Sequence, residues 1–322
     1  LIWLKSCRNY CANLHHDDLA GSARSLDAVL SVPCEPFGDE AKKENNMLSD
    51  VLVPLLTYPD AVAVDFAATL PDFVAGFASH VTFLPVEVDV PNLANRWGAS
   101  LIALPQMIAD VEARSRQAAH QLKQATTSHT RPLTIRHQMV RVALGHAGPA
   151  LLPFTRYHDL CLVPVAEGSS EKSMLAETII FGSGRPVMLV PEHDLGAYDL
   201  GAVAIAWDGG SCASRAVFDA LPILAKAREV SVLTVSDDKP DAASSVQQVI
   251  EYLGRHGINA THRETSLRDN DIGRSLMAST TEIGAGLLVM GAYGHSRLRE
   301  FVFGGATKTV LHGPTVPVLL SH

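Results

Sequence analysis

Charge is scarce in this sequence: Asp, Glu, Lys and Arg together make up 19% of 322 residues, and aromatic residues only 6%. Basic residues are the scarcer, with Lys plus Arg at 26 against 34 Asp plus Glu and a net of −8. That balance supplies no broad positive field, so a nucleic-acid backbone is a poor partner. No uninterrupted apolar run approaches the roughly 18 residues that a spanning helix needs, and the first residues lack a charged segment followed by a clean apolar one. No membrane partner is expected, and the expected address is cytoplasmic. Cysteine is sparse and odd in number, at Cys7, Cys11, Cys34, Cys161 and Cys212, which argues against a secreted disulfide framework.

Hydrophobic residues are plentiful, at 47%. That is enough to build a core, and the length suits about two domains of ordinary size. Residues 1–46 stand apart, with three of the five cysteines and no sustained apolar period. They read as a leader that is either disordered or not part of the native protein. Cys7, Cys11, His15 and His16 carry proper zinc-ligand chemistry, but their spacing matches no recognised ligand pattern, and no metal is expected.

From Met47 onward, short β-rich runs alternate with helical segments, the mark of a parallel sheet covered by crossover helices. Ala202–Trp207 and Val230–Val235 read as buried strands. Between them Ala213, Ala216, Val217, Ala220 and Leu224 share one helical face. Val246, Val249, Ile250 and Leu253 recur at helical spacing. Then come a strand near Asn259–Glu264, a helix near Ile272–Ile283, the strand Gly286–Met290, a last helix and the strand Val316–Ser321. The earlier half repeats the plan: Val51–Leu56 answers Val203–Asp208, Val81–Val86 answers Val230–Val235, Leu160–Pro164 answers Gly286–Met290, and Pro186–Val190 answers Pro317–Ser321. An internal duplication follows, with domains at 47–193 and 200–322. The first copy is longer between its second and fourth strands. Met107, Ile108, Val111, Ala118 and Leu122 in that excess are expected to cover core.

Ligands of open parallel sheets bind beyond the carboxyl ends of the strands. There, after Met290, stands Gly291-x2-Gly294-x9-Gly304, followed by Gly305, Ala306 and Thr307. Glycines at 291 and 294 allow close backbone approach and positive φ, and Gly304 and Gly305 present bare amides at a helix start. Asp208 ends the first strand on the same edge, where a carboxylate accepts from ribose hydroxyls. Val235 offers apolar contact to a base.

Ala-Trp-Asp208-Gly-Gly-Ser, Val-Met-Gly291-Ala-Tyr-Gly294-His-Ser-Arg and Phe-Gly304-Gly-Ala-Thr together resemble the second domain of tandem, two-domain bacterial universal stress proteins. The likeness extends over nearly all of 200–322, and 47–193 resembles a more divergent partner domain. It implies an α/β fold of two Rossmann-like domains, each a five-stranded parallel sheet flanked by helices. It further implies ATP or a related adenine nucleotide, with any Mg²⁺ held by the phosphates, serving as a regulatory signal in a stress response. Asp208 and Gly291 would lie near the ribose, Val235 near the base, and Gly294, Gly304, Gly305 and Ala306 around the phosphates, with Met290, His295 and Thr307 also counted among the cofactor-binding residues. His295 either contacts a phosphate or faces solvent, and Tyr293 either stacks on a base or caps the core. Gly305 departs from the pattern, standing where the family has a hydroxyl residue. One neutral hydrogen bond, worth about 0.5–1.5 kcal/mol, is thereby missing, a loss of roughly tenfold in affinity. Thr307 and Lys308 are the candidates to replace it. The resemblance also implies Val187–Val190 pairing with Val316–Leu320 within the chain, and it leaves room for a homodimer and for an unknown protein partner.

The first copy has Leu56 at the place of Asp208 and no Gly-x2-Gly after its fourth strand, so one site per chain is expected. Phe181-Gly-Ser-Gly-Arg-Pro186 reads as a tight turn with no helix start to face a phosphate. Gly305-Ala-Thr-Lys308 fails as a Walker loop because glycine and lysine are not adjacent. Gly-x-Ser-x-Gly and His-Glu-x2-His are absent. Little or no hydrolysis is expected, with no catalytic residue assigned. The competing readings are a nucleotide-independent scaffold and an ATP-dependent enzyme such as a kinase or adenylating ligase.

Overall fold

Val203 and Ile205 belong to one apolar core and Ala204 and Ala206 to another, and all are buried. A strand covered on both faces carries a continuous apolar run rather than an alternating one, and β7 (Ala202–Ala206) is such a strand. The computed structural model describes residues 48–91, 104–193, 195–235, 240–294 and 305–322, leaving aside the side chains of Leu104 and residues 240–244. Residues 1–46, and with them the leader and Cys7, Cys11, His15 and His16, lie outside the described residues.

The first half contributes β1 (Leu48–Leu56), β2 (Ala78–Asp89), β3 (Thr134–His137), β4 (Val140–Ala143), β5 (Leu160–Val165) and β6 (Val187–Pro191). The second contributes β7, β8 (Glu229–Val235), β9 (Ala260–Thr265), β10 (Leu287–Gly291) and β11 (Val318–Ser321). Among the described residues they form one sheet of 11 strands in the order β3-β2-β1-β5-β6-β11-β10-β7-β8-β9, with β4 also on β2. Pairing is parallel within each half and antiparallel at the join, where Val318, Leu319 and Leu320 of β11 face Leu189, Met188 and Val187 of β6. The fold is therefore α/β, a mostly parallel sheet flanked by helices.

The helices cover both faces. Helices α1 (Val64–Val74), α5 (Ser211–Leu224) and α6 (Pro240–Arg255) pack on one, with the end of α2 (Leu104–Ala125). On the other lie α3 (Ala147–Thr155), α4 (Ser170–Ser183), α7 (Ile272–Glu282) and α8 (Ala306–His312). Crossover helices are what parallel neighbours require, since a hairpin cannot join them. Among the described residues no helix is long and apolar enough to cross a membrane.

Register makes the internal repeat quantitative. Val51 pairs with Val81 and Leu160, as Val203 pairs with Val230 and Leu287. Advancing the strands in step brings Leu56 to the place of Asp208, Val86 to that of Val235 and Pro164 to that of Gly291.

Three expectations need correcting. The first-half edge strand is broken into β3 and β4, each pairing with a different stretch of β2. In α2 only the later part covers core: Leu122 is fully buried, whereas Met107 is 61% exposed. Phe181, Gly182 and Ser183 belong to α4 rather than to a turn; Gly184, at φ 70°, is its left-handed C-cap. The first half thus does have a helix start after its fourth strand, at Ser169, whose hydroxyl caps the Lys172 N–H.

Candidate functional site

Strand β7 delivers Asp208 to the C-terminal edge of the second-half strands. Beyond it Gly209 turns with φ 75°, and the Gly210 N–H donates to Asp208 Oδ1 at 2.8 Å. This local bond holds the carboxylate over the start of α5, for which Gly210 is the N-cap. Asp208 is half-buried.

Strand β10 delivers the loop. A Cβ added to Gly291 would stand 2.5 Å from the Ala213 nitrogen and 2.6 Å from the Cys212 carbonyl carbon. Gly291 is therefore required by the first turn of α5, whatever else approaches it. Gly294 differs: its added Cβ would meet Asp208 Oδ2 at 3.6 Å and Cys212 Cβ at 3.8 Å, both ordinary contacts. Neither glycine has positive φ, contrary to expectation; that conformation belongs to Tyr293, at φ 54°. Side chains cost more there than glycine, and two contacts hold Tyr293 in place. Its N–H donates to Thr307 Oγ1 at 3.1 Å, and its hydroxyl donates to Glu177 Oε1 at 3.0 Å. Its ring packs on Phe181 of α4, with centroids 4.7 Å apart. Tyr293 is thus a clamp between halves rather than a stacking platform.

Gly305 caps α8 through its backbone, and Ala306 begins the helix half-buried. Thr307 is only 3% exposed, its hydroxyl committed to the Tyr293 turn. It is poorly suited to replace the hydroxyl missing at Gly305. Lys308 is exposed. Val235 ends β8 and Met290 stands one residue before the end of β10, both with their side chains in the core. His295 and Gly304 lie outside the described residues. Of the predicted set, the structure brings Asp208, Gly291 and Gly294 together on one edge, and ties the Gly291–Gly294 turn to Thr307.

Sequence reasoning missed the support of this edge. Asp271, the N-cap of α7, accepts from the Arg274 N–H at 2.9 Å and from the Thr309 hydroxyl at 2.8 Å. Gly273 admits α8, since an added Cβ would stand 2.6 Å from the Ala306 carbonyl oxygen. The Asp-x2-Arg cap was the only local signal available. Cys212, on the first turn of α5, lies 3.9 Å from His322 Nδ1, which itself is 3.0 Å from the Ala292 carbonyl oxygen.

The corresponding edge of the first half is closed by its own chemistry. Leu56 and Pro164 take the places of the carboxylate and the loop glycine. Lys172, in the first turn of α4, is paired with Glu192, their side chains being 2% and 9% exposed. Ser169 donates to Asp60 Oδ2 at 3.0 Å. A cation already neutralised inside the protein offers little to a phosphate. Among the described residues no cluster of three or more His, Cys, Asp or Glu side chains is placed to hold a metal ion.

Residues 201–322 match the model of the universal stress protein family. No curated protein matches the chain. Among solved structures, it is similar to a universal stress protein from Archaeoglobus fulgidus DSM 4304, at 19% identity and a TM-score of 0.59, covering 86% of this chain and 97% of that one. A protein of the universal stress protein family from Burkholderia pseudomallei matches at 24% identity and a TM-score of 0.28, covering 38% and 95%. A universal stress protein in complex with cAMP matches at 19% identity and a TM-score of 0.31, covering 38% and 96%. At 19% identity the likeness to the Archaeoglobus fulgidus protein is one of fold, and it extends across both halves.

Proposed function

With residues 201–322 matching the universal stress protein family, we propose that they form the nucleotide-binding domain of a tandem pair, the divergent partner spanning 47–193. The ligand is an adenine nucleotide, ATP by expectation, bound beyond the ends of β7, β8 and β10 as a regulatory signal with little or no hydrolysis. The observation that carries this reading is the meeting of Asp208 with Gly294: a carboxylate able to accept from ribose hydroxyls stands beside a loop glycine that no close contact among the described residues requires. Val235 would line the base, and the backbone at Gly294, Gly305 and Ala306 would approach the phosphates. Magnesium, where present, would be carried by the phosphates.

The test is calorimetry of the full chain with Mg-ATP. One site per chain is expected, weakened at least tenfold in Asp208→Ala and blocked in Gly294→Val. No heat at millimolar ligand, or unchanged affinity in both variants, overturns the reading. A second reading, a scaffold that works without nucleotide, is favoured by the use of Gly291, Tyr293 and Thr307 in internal packing and by the β6–β11 join. Under it, Tyr293→Ala would loosen the halves with or without ATP, and Asp208→Ala would leave function intact.

A further inference from the structure

Between the two halves, on the face that carries α1 and α5, lies an open cleft of about 640 Å³. Its walls include Asp72 and Phe73 from the end of α1, Arg131 from the segment entering β3, Leu200 from the linker, and Lys226 and Arg228 from the turn after α5. These last residues precede β8, whereas Asp208 follows β7, so the cleft and the strand-end site lie at opposite ends of the second-half strands.

Both carboxylates at the cleft are already engaged. Asp72 Oδ1 accepts from the Thr130 N–H at 2.7 Å, the Thr130 hydroxyl at 2.9 Å and the Arg131 N–H at 3.3 Å. Asp199 is held by the Arg228 guanidinium and accepts from the Gly201 N–H at 2.9 Å. Arg228 is thereby balanced, Arg131 acts on the Asp72 carboxylate at longer range without an ion pair, and Lys226 forms no ion pair among the described residues. Lys226 is exposed, yet protein on one side of its ammonium lowers its pKa by desolvation. A cation after a helix C-terminus is ordinary dipole chemistry and Arg131 has Asp72 nearby, yet both cations line the same open space. Phe73 and Leu200 add apolar wall to the same space. The volume lies within the range of roughly 300–1,000 Å³ typical of small-molecule sites.

We propose that this cleft is a second ligand site, for a small amphipathic anion whose carboxylate or phosphate head meets Arg131 and Lys226 while its apolar body lies over Phe73 and Leu200. The inference does not rest on nucleotide binding at the strand ends.

The experiment titrates the full chain with anilinonaphthalene sulfonate, following fluorescence, and displaces it with benzoate, phenyl phosphate and, as the uncharged control, phenol. Saturable binding of one probe per chain is expected, displaced by either anion and not by phenol. Removing both cations in Arg131→Ala/Lys226→Ala should weaken binding by about tenfold or more, given the strength of hydrogen bonds to charged groups. Ala68→Trp, placed at an exposed position on the cleft wall, should abolish binding in a protein of unchanged circular dichroism. Asp208→Ala should leave it unchanged. Equal binding in the double variant and in Ala68→Trp, or displacement by phenol as effective as by phenyl phosphate, overturns the proposal.

Discussion

The backbone N–H of Tyr293 donates to the Thr307 hydroxyl at 3.1 Å, fastening the turn after β10 to the first turn of α8. Through this bond a residue with left-handed φ, a conformation costing a side chain about 1–2 kcal/mol, is kept in place. Thr307→Val keeps the shape and removes the acceptor. It should destabilise the protein by about 0.5–1.5 kcal/mol in urea unfolding, the net worth of one hydrogen bond, whereas Thr307→Ser should stay near the parent.

The two loop glycines should separate cleanly. Gly291→Ala drives a Cβ to 2.5 Å from the Ala213 nitrogen, and overpacking of this kind costs about 1–3 kcal/mol. Gly294→Ala meets nothing closer than 3.6 Å among the described residues, so its melting temperature should match the parent. A loss of stability at Gly294 equal to that at Gly291 would contradict this account.

Lys172 and Glu192 form a buried pair. Lys172→Met leaves Glu192 without its partner, and breaking such a pair typically costs about 3–5 kcal/mol. The double variant Lys172→Met/Glu192→Leu, which removes both charges, should recover a large part of that loss in chemical denaturation. No recovery would mean that the lysine stem, rather than the charge pair, holds the site.

His137 supplies a pH signature. Burial, aided by Lys123, lowers its pKa, while Nε2 lies 2.9 Å from the Thr126 hydroxyl and its ring stacks on Phe83. Because the folded pKa is depressed, the folded form favours neutral imidazole. Its contribution is complete above the ordinary histidine value of about 6.5 and is lost as pH falls through the folded pKa. His137→Phe should remove this slope from the stability profile below that value, as measured by urea midpoints across pH.

Much of the fold is legible in the sequence because both sheet faces are buried. Val51–Leu56 and Val203–Ile205 are apolar without alternation, and their match anticipates the register that sets Leu56 against Asp208. Ties between distant segments leave no such period. Tyr293 meeting Glu177 and Lys172 meeting Glu192 depend on how crossovers bring helix starts together. The α4 helix is hidden for a different reason: Gly182 and Gly184 look like turn residues, but Gly182 lies within the helix, where an added Cβ would meet Leu152 at 2.7 Å. Met107 misleads because an amphipathic period fixes a face, not how far along the helix that face finds a partner.

The antiparallel join of β6 and β11 turns the second half end for end. Across that seam the carboxyl ends of the second-half strands lie beside the beginnings of the first-half strands, so the edge at Asp208 and its counterpart at Lys172 face opposite ways. A nucleotide bound at Asp208 would therefore be met at one edge of the second half and have no equivalent at the matching edge of the first, where Leu56 and Pro164 stand.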